Sequence, residues 1–343
     1  MNIYKILKLY SRINSSRLRA AGLLAMHLLR RRYTCLFFDP VLGCNLRCRM
    51  CYFSDAEKRK EMHGIFTDDD VDAIAKSLFP SIIKLQIGCG AEPTLYKRLD
   101  RVIALGRQYG VPYISMTTNG NLLTEDKLRM LVESGLNEIT ISLHGIKEQT
   151  YEYFMQGADF SKFKNLISAL SNIKKDYPGF KVRVNYTVNE DNVQDLRDFA
   201  SLFSPLDIDI LQIRPVQKIG ESEYMNFSMS KILDNYESCI LPLVDYCKSK
   251  NILCLYPSKD NIKALANGDA ENETDNTNSI VNMVPHFYLS PYEGWKKKIN
   301  PYAETFYDYC RRTNRKSNLL WYILSGKSKK EHDVTKSMNY NVK

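Results

Sequence analysis

No uninterrupted apolar run in this chain approaches the roughly 18 residues that a membrane-spanning helix requires. No stretch repeats at a fixed period of roughly 20–50 residues, so solenoid architectures are excluded. The composition also lacks the glycine periodicity of collagen and the biased content of a coiled coil. Residues 1–32 contain no acidic residue but eight Lys/Arg, and residues 311–343 contain nine against two acids. The net charge of +9 therefore leaves residues 33–310 at −6. A phosphate-rich partner would meet the ends rather than the body.

What remains is a 343-residue chain, 44% hydrophobic and 25% charged, the balance of a globular protein with a sizeable core. Its nine cysteines are odd in number and unevenly placed, which favours thiol or metal chemistry over a secreted disulfide framework. Leu23 to Leu29 is a short apolar stretch interrupted by His27, and the Val41-Leu42-Gly43-Cys44 box follows Asp39 and Pro40. Neither has the apolar lead of a signal peptide, so a cytoplasmic location is expected. Ile3, Ile6, Leu7, Tyr10 and Ile13 fall at helical spacing with Lys5, Lys8 and Arg12 elsewhere on the wheel. Such a helix packs on the body or lies on an anionic membrane, so residues 1–32 are a candidate peripheral contact.

From Tyr33 to Pro215 short β-rich runs alternate with helical patterns. Strands are expected at Cys35–Phe38, Ile82–Ile87, Tyr113–Thr117, Glu138–Leu143, Lys181–Val188 and Ile208–Ile213. Thr67 and Thr124 cap helices between them. Six β-α units imply an α/β fold, a partial (β/α)6 TIM-type barrel with a helical extension before it and an irregular one after it. The expected divisions are a basic extension at 1–32, the barrel at 33–216, a substrate-covering or auxiliary region at 217–326, and a disordered basic tail at 327–343. A helix is expected over Leu233–Lys250 and a short strand over Ile252–Tyr256. In parallel barrels reactive groups sit at the C-terminal ends of strands.

The strongest motif stands there. Cys44, Cys48 and Cys51 are spaced C-x3-C-x2-C in the loop after the first strand. Three thiolates so close can converge on one metal centre. Structural zinc needs a fourth protein ligand, and His63 is the nearest candidate; a cubane iron–sulfur cluster held by three thiolates keeps one iron open.

This loop resembles the cluster loop of radical S-adenosylmethionine (SAM) enzymes. The resemblance implies that Cys44, Cys48 and Cys51 hold a [4Fe-4S] cluster and that SAM chelates the fourth iron. Many relatives carry an aromatic residue just before the third cysteine, where this chain has Met50, with Tyr52 just after. Gly88-Cys89-Gly90-Ala91-Glu92-Pro93 is similar to the family's GGEP motif, placing Gly90, Ala91, Glu92 and Pro93 near the SAM amino group. Thr117-Thr118-Asn119-Gly120 resembles its TNG segment, implicating Thr118 and Asn119. Ser142 matches a strand-end serine near the SAM carboxylate and ribose; Arg183 and Asn185, on one face of the fifth strand, match a carboxylate-binding base and a ribose-side asparagine. His144 and Arg214 stay open between structural and binding roles.

The resemblance covers roughly residues 33–216. It implies one-electron reduction of SAM to methionine and a 5′-deoxyadenosyl radical, which takes hydrogen from an unidentified peptide or small cofactor or natural-product precursor. A one-electron reductant such as flavodoxin or ferredoxin is implied; no specific nucleic acid is. Cys239, Cys247, Cys254 and Cys310 contain no C-x-x-C pair, so neither the seven-cysteine SPASM set nor the tight three-cysteine set of molybdenum-cofactor relatives is present. They are an auxiliary cluster only if they converge in space. The competing reading is a non-catalytic metal-binding regulator with basic ends on nucleic acid or membrane.

Overall fold

The computed structural model describes residues 13, 15–217, 222–267 and 286–326. The expected first helix, apart from Ile13, and the expected tail at 327–343 lie outside them.

Six strands appear where the β-rich runs predict them: β1 Thr34–Phe38, β2 Ile82–Ile87, β3 Ile114–Thr118, β4 Glu138–Leu143, β5 Lys181–Val188 and β6 Ile210–Pro215. The sixth begins two residues later than expected. The C-terminal region adds two more, β7 Leu253–Leu255 and β8 His286–Leu289. Every neighbouring pair is parallel, in the order β7-β6-β5-β4-β3-β2-β1-β8. The core is thus the expected partial barrel, extended at both edges. β8 escapes sequence reading because four residues are too short to show a period, and its partner lies some 250 residues earlier.

The main helices are α1 Ser16–Leu28, α2 Asp68–Leu78, α3 Leu99–Gln108, α4 Glu125–Ser134, α5 Phe160–Asp176, α6 Leu241–Ser249, α7 Phe306–Arg312 and α8 Arg315–Ser325. α2 starts at a capping box: the Thr67 hydroxyl accepts from Asp70 N–H while the Asp70 carboxylate accepts from Thr67 N–H. Thr124 caps α4 and Asp159 caps α5. The expected helix over Leu233–Lys250 is broken into a short α turn, a π turn at Tyr236–Ile240 and α6, with Pro242 in the first turn of α6.

Alternation sorts each strand into two faces. Leu36, Phe38, Leu85, Ile87, Met116, Ile141, Val184 and Leu211 pack outward, buried against helices. The inner face is polar. Ser115 donates to Gln86 (2.6 Å), whose amide reaches Thr117 Oγ1 (3.0 Å), and Tyr113 donates to Glu138 (2.6 Å). Arg32 ties the entry of β1 to the body by donating to the carbonyls of Phe79 (2.5 Å), Ile82 (3.3 Å) and Tyr109 (2.5 Å).

Candidate active site at the C-terminal ends of the strands

Residues 39–54 turn over the end of β1. Backbone bonds shape the loop: Arg47 and Arg49 N–H donate to Gln156 and Phe154 carbonyls, and Cys51 N–H donates to Cys48 C=O (2.9 Å). Leu46 is fully buried beneath it. This brings Cys44, Cys48 and Cys51 together, each half-buried. Burial pushes the Cys44 thiol up to about 11, and burial first, then the other two thiols, pushes Cys48 well above its ordinary value. Among the described residues no three Cys, His, Asp or Glu side chains lie within reach of one ion. A cuboidal cluster takes each thiolate at a separate iron, so three thiols on one loop, close enough for Cys44 and Cys51 to raise the pKa of Cys48, suit that group. They do not suit a zinc site completed by His63, whose ring meets the Lys60 carbonyl on an exposed turn.

Two buried carboxylates lock the neighbouring loops onto this one. Asp39, the residue after β1, accepts from the N–H groups of Cys89 (2.7 Å) and Gly90 (2.9 Å) and from the Tyr288 hydroxyl (2.8 Å) on β8. Tyr52 donates to the Gly90 carbonyl. A Cβ on Gly90 would press on the hydroxyls of Tyr52 and Tyr288 and on the Asp39 carboxylate, so only glycine fits that approach. Glu92 donates its N–H to the Gly43 carbonyl (2.8 Å), and its carboxylate accepts from Thr94 N–H and Oγ1, Thr118 Oγ1 and Asn119 N–H at 2.6–3.1 Å. Burial raises the Glu92 pKa, and those four donors work against the rise. The three loops after β1, β2 and β3 are thereby one unit.

The residues singled out in sequence divide into those that brace and those that face the opening. Glu92, Thr118 and Pro93 are buried braces. Gly90 and Ala91 line the rim. Asn119 is bridged to the thiol loop, with its amide 2.9 Å from Asn45 Oδ1 and 4.0 Å from Cys44 Sγ. Met50 is buried, and the Asn189 amide donates to its sulfur at 3.2 Å. Ser142, Asn185 and Gln212 occupy one register row across β4, β5 and β6. Arg183, one step deeper, donates to Asn185 Oδ1 (3.2 Å) and to Gln212 Oε1.

Asp39, Asn189, Gln212 and Tyr288 are members that motif reading missed. Asp39 was findable, since alternation puts it on the inner face with Cys35 and Phe37. Tyr288 was not, because only the sheet order brings β8 beside β1. His144 sits just past β4 with its Nδ1 buried and no hydrogen-bond partner among the described residues; burial pushes its pKa down to about 4.

The four later cysteines do not converge. Cys239 is buried and accepts from Arg197 Nε (3.2 Å), Cys310 lies 3.9 Å from the Tyr33 hydroxyl, and Cys247 and Cys254 share a hydrogen bond that lowers the Cys247 pKa and raises that of Cys254.

Comparison with known proteins agrees with this geometry. A family model described as the radical SAM superfamily matches residues 39–203. A GTP 3',8-cyclase from Clostridium botulinum (strain Okra / Type B1) is 26% identical over 229 residues, which is 64% of this chain and 69% of that protein. An Fe-coproporphyrin III synthase from Methanosarcina barkeri is 31% identical over 156 residues, 45% of this chain and 36% of that protein. Among solved structures, Streptococcus suis SuiB bound to S-adenosylmethionine superposes with a TM-score of 0.52 at 15% identity, over 66% of this chain and 51% of that one. Native anSMEcpe with bound AdoMet gives 0.52 at 15% identity, over 85% and 99%. The chain thus spans about half the length of SuiB, and at these identities the structures establish a shared fold.

Proposed function

As a member of the radical SAM superfamily, with that domain at residues 39–203, this chain is an enzyme, and we propose that it reductively cleaves SAM and takes a hydrogen atom from a peptide or a small cofactor or natural-product precursor. In this reading Cys44, Cys48 and Cys51 would hold a [4Fe-4S] cluster, with SAM bound beside it. The bound cluster supplies the single electron for cleavage, delivered by a reductant such as flavodoxin or ferredoxin. The organic chemistry belongs to the cofactors, and the chain supplies placement and shielding.

Each part of the mouth has a task on this view. The Gly90–Ala91 rim offers backbone to the SAM amino group, held in place by Asp39 and Tyr52. The row of Ser142, Asn185 and Gln212 presents hydroxyl and amide groups to the ribose, and Arg183 beneath it supplies positive charge toward a carboxylate. Glu92, beside the Gly90–Ala91 rim, keeps the first three loops in register. Half-burial of the thiols limits the access of water to the reacting centre. The observation that carries the reading is the meeting of three thiols with the ends of β2 and β3 through Gly43, Asp39 and Glu92. The regulator alternative gives way to the family match.

The test is anaerobic reconstitution with iron and sulfide, followed by SAM and dithionite. The expected result is broad brown absorbance, four irons per chain, and 5′-deoxyadenosine as a product. Cys48→Ala loses both the colour and the nucleoside. Retention of both by that variant overturns the assignment.

A further inference from the structure

At the other end of β1 from the thiols, α1 and α8 lie side by side and antiparallel. Gly326, after α8, sits against the guanidinium of Arg17 at the start of α1. Where the opposite ends meet, Leu28, Arg30, Arg311 and Lys316 help line a cavity of ≈ 490 Å³. Each helix buries one face, with Ala20 and Leu23 on α1 and Leu319 on α8. The other face is open and apolar. On α1, Leu18, Gly22, Ala25, Met26 and Leu29 fall within one stripe at helical spacing. A Cβ on Gly22 would meet nothing within 4 Å. On α8, Leu320, Trp321 and Leu324 form a second stripe. Leu29 is 69% and Leu324 76% exposed, and among the described residues these two helices with the Leu29 cap carry seven of the fourteen exposed large apolar side chains. Such clustering marks an interaction site rather than ordinary surface.

The charge around the stripes has one sign. Residues 16–32 and 315–326 contain no acid, and Arg17, Arg19, Arg30, Arg31 and Lys316 flank them. The acid beside the cavity, Asp308, pairs with Arg311 at 3.2 Å. The helices have 13 and 11 residues, and no helix among the described residues is long and apolar enough to cross a membrane. Short helices with exposed leucines, a tryptophan and a basic border match a surface whose interior is apolar and whose boundary is anionic.

We propose that α1 and α8 form a docking surface for an anionic lipid bilayer, with lipid phosphate groups seated at the cavity between Arg30 and Lys316. The leucines enter the acyl boundary, while the arginines lie along it with their charged ends at the headgroups. A nucleic acid would use the cations but has no use for the leucines. The surface extends the peripheral contact expected of residues 1–32 to a second helix nearly 300 residues later. It does not depend on the reaction assigned above.

The test is co-sedimentation of the full-length protein with vesicles of phosphatidylcholine alone or with phosphatidylglycerol as one lipid in four. Binding to the mixed vesicles is expected to exceed binding to the neutral ones at least tenfold and to weaken with added salt. A basic side chain near an anionic surface is worth about a factor of five, so Lys316→Glu, which reverses a charge, lowers binding more than tenfold. Leu324→Glu and Leu18→Glu abolish it, with an unchanged urea midpoint, since both side chains are exposed, and unchanged 5′-deoxyadenosine formation in solution. Equal or absent binding to the two vesicle types, or binding unmoved by these substitutions, overturns the proposal. So does a concentration-dependent dimer that Leu324→Glu dissolves, which would assign the face to a second copy.

Discussion

Glu92 shows how one buried side chain can decide the shape of the mouth around it. Its carboxylate accepts four hydrogen bonds from two different loops while buried. Removing it strands those donors, and each buried orphan costs about 1–3 kcal/mol. Glu92→Ala should lower unfolding stability by about 3 kcal/mol or more and weaken SAM binding, read as a urea midpoint and a dialysis isotherm. Glu92→Gln keeps one acceptor oxygen and should fall between. His144 gives a pH signature at the same scale. Its folded pKa of about 4 lies below the unfolded value near 6.5, so the folded state favours the neutral ring. That contribution is complete above pH 6.5 and fades as pH falls toward 4. Linkage sets the loss at about 2 kcal/mol by pH 5. The midpoint should drop between pH 7 and pH 5 in the wild type and drop less in His144→Gln.

Strand ends and their turns carry the next level. Gly88 follows β2 with φ +74°, and a Cβ there would collide with the Thr117 carbonyl at the end of β3. Gly88→Ala should therefore cost at least about 2 kcal/mol through strain and forced separation of the two strand ends, visible in the same melts and as lost cluster loading. At this level the sequence was most readable. Apolar β-rich runs and capping threonines located six strands and the helices between them, and the cysteine, glycine and asparagine motifs fell at the expected ends. Side-chain partnerships across the barrel were not readable. Nothing near Met50 announces that Asn189 will hold its sulfur, and nothing near Arg183 announces Gln212. These pairings follow from register between strands, which local pattern leaves open. Gln212 became a neighbour of Asn185 only once β6 was aligned on β5.

For the whole molecule, the barrel and the C-terminal region are one sheet rather than core and appendage. β8 covers the outer edge of β1, and Phe306 of α7 packs against both Tyr33 and Phe287. A chain ending at residue 267 should therefore fail to give a cooperative unfolding transition and should aggregate through the exposed β1 edge, as judged by size-exclusion chromatography and calorimetry. A barrel complete at residue 216 would instead leave the shortened chain folded and able to take up iron.

The pairing of β8 with β1 also sets an order of events in the cell. Asp39 N–H donates to the Leu289 carbonyl and the Asp39 carboxylate accepts from Tyr288, so the pocket beside the cysteines waits for residues synthesised some 240 positions later. Until those residues leave the ribosome, the strand bearing the cysteine loop has one neighbour instead of two. On the proposed function, cluster loading then follows translation. Nascent chains arrested before residue 286 should remain protease-sensitive around Phe38 and bind no iron, while the released chain gains both protections together.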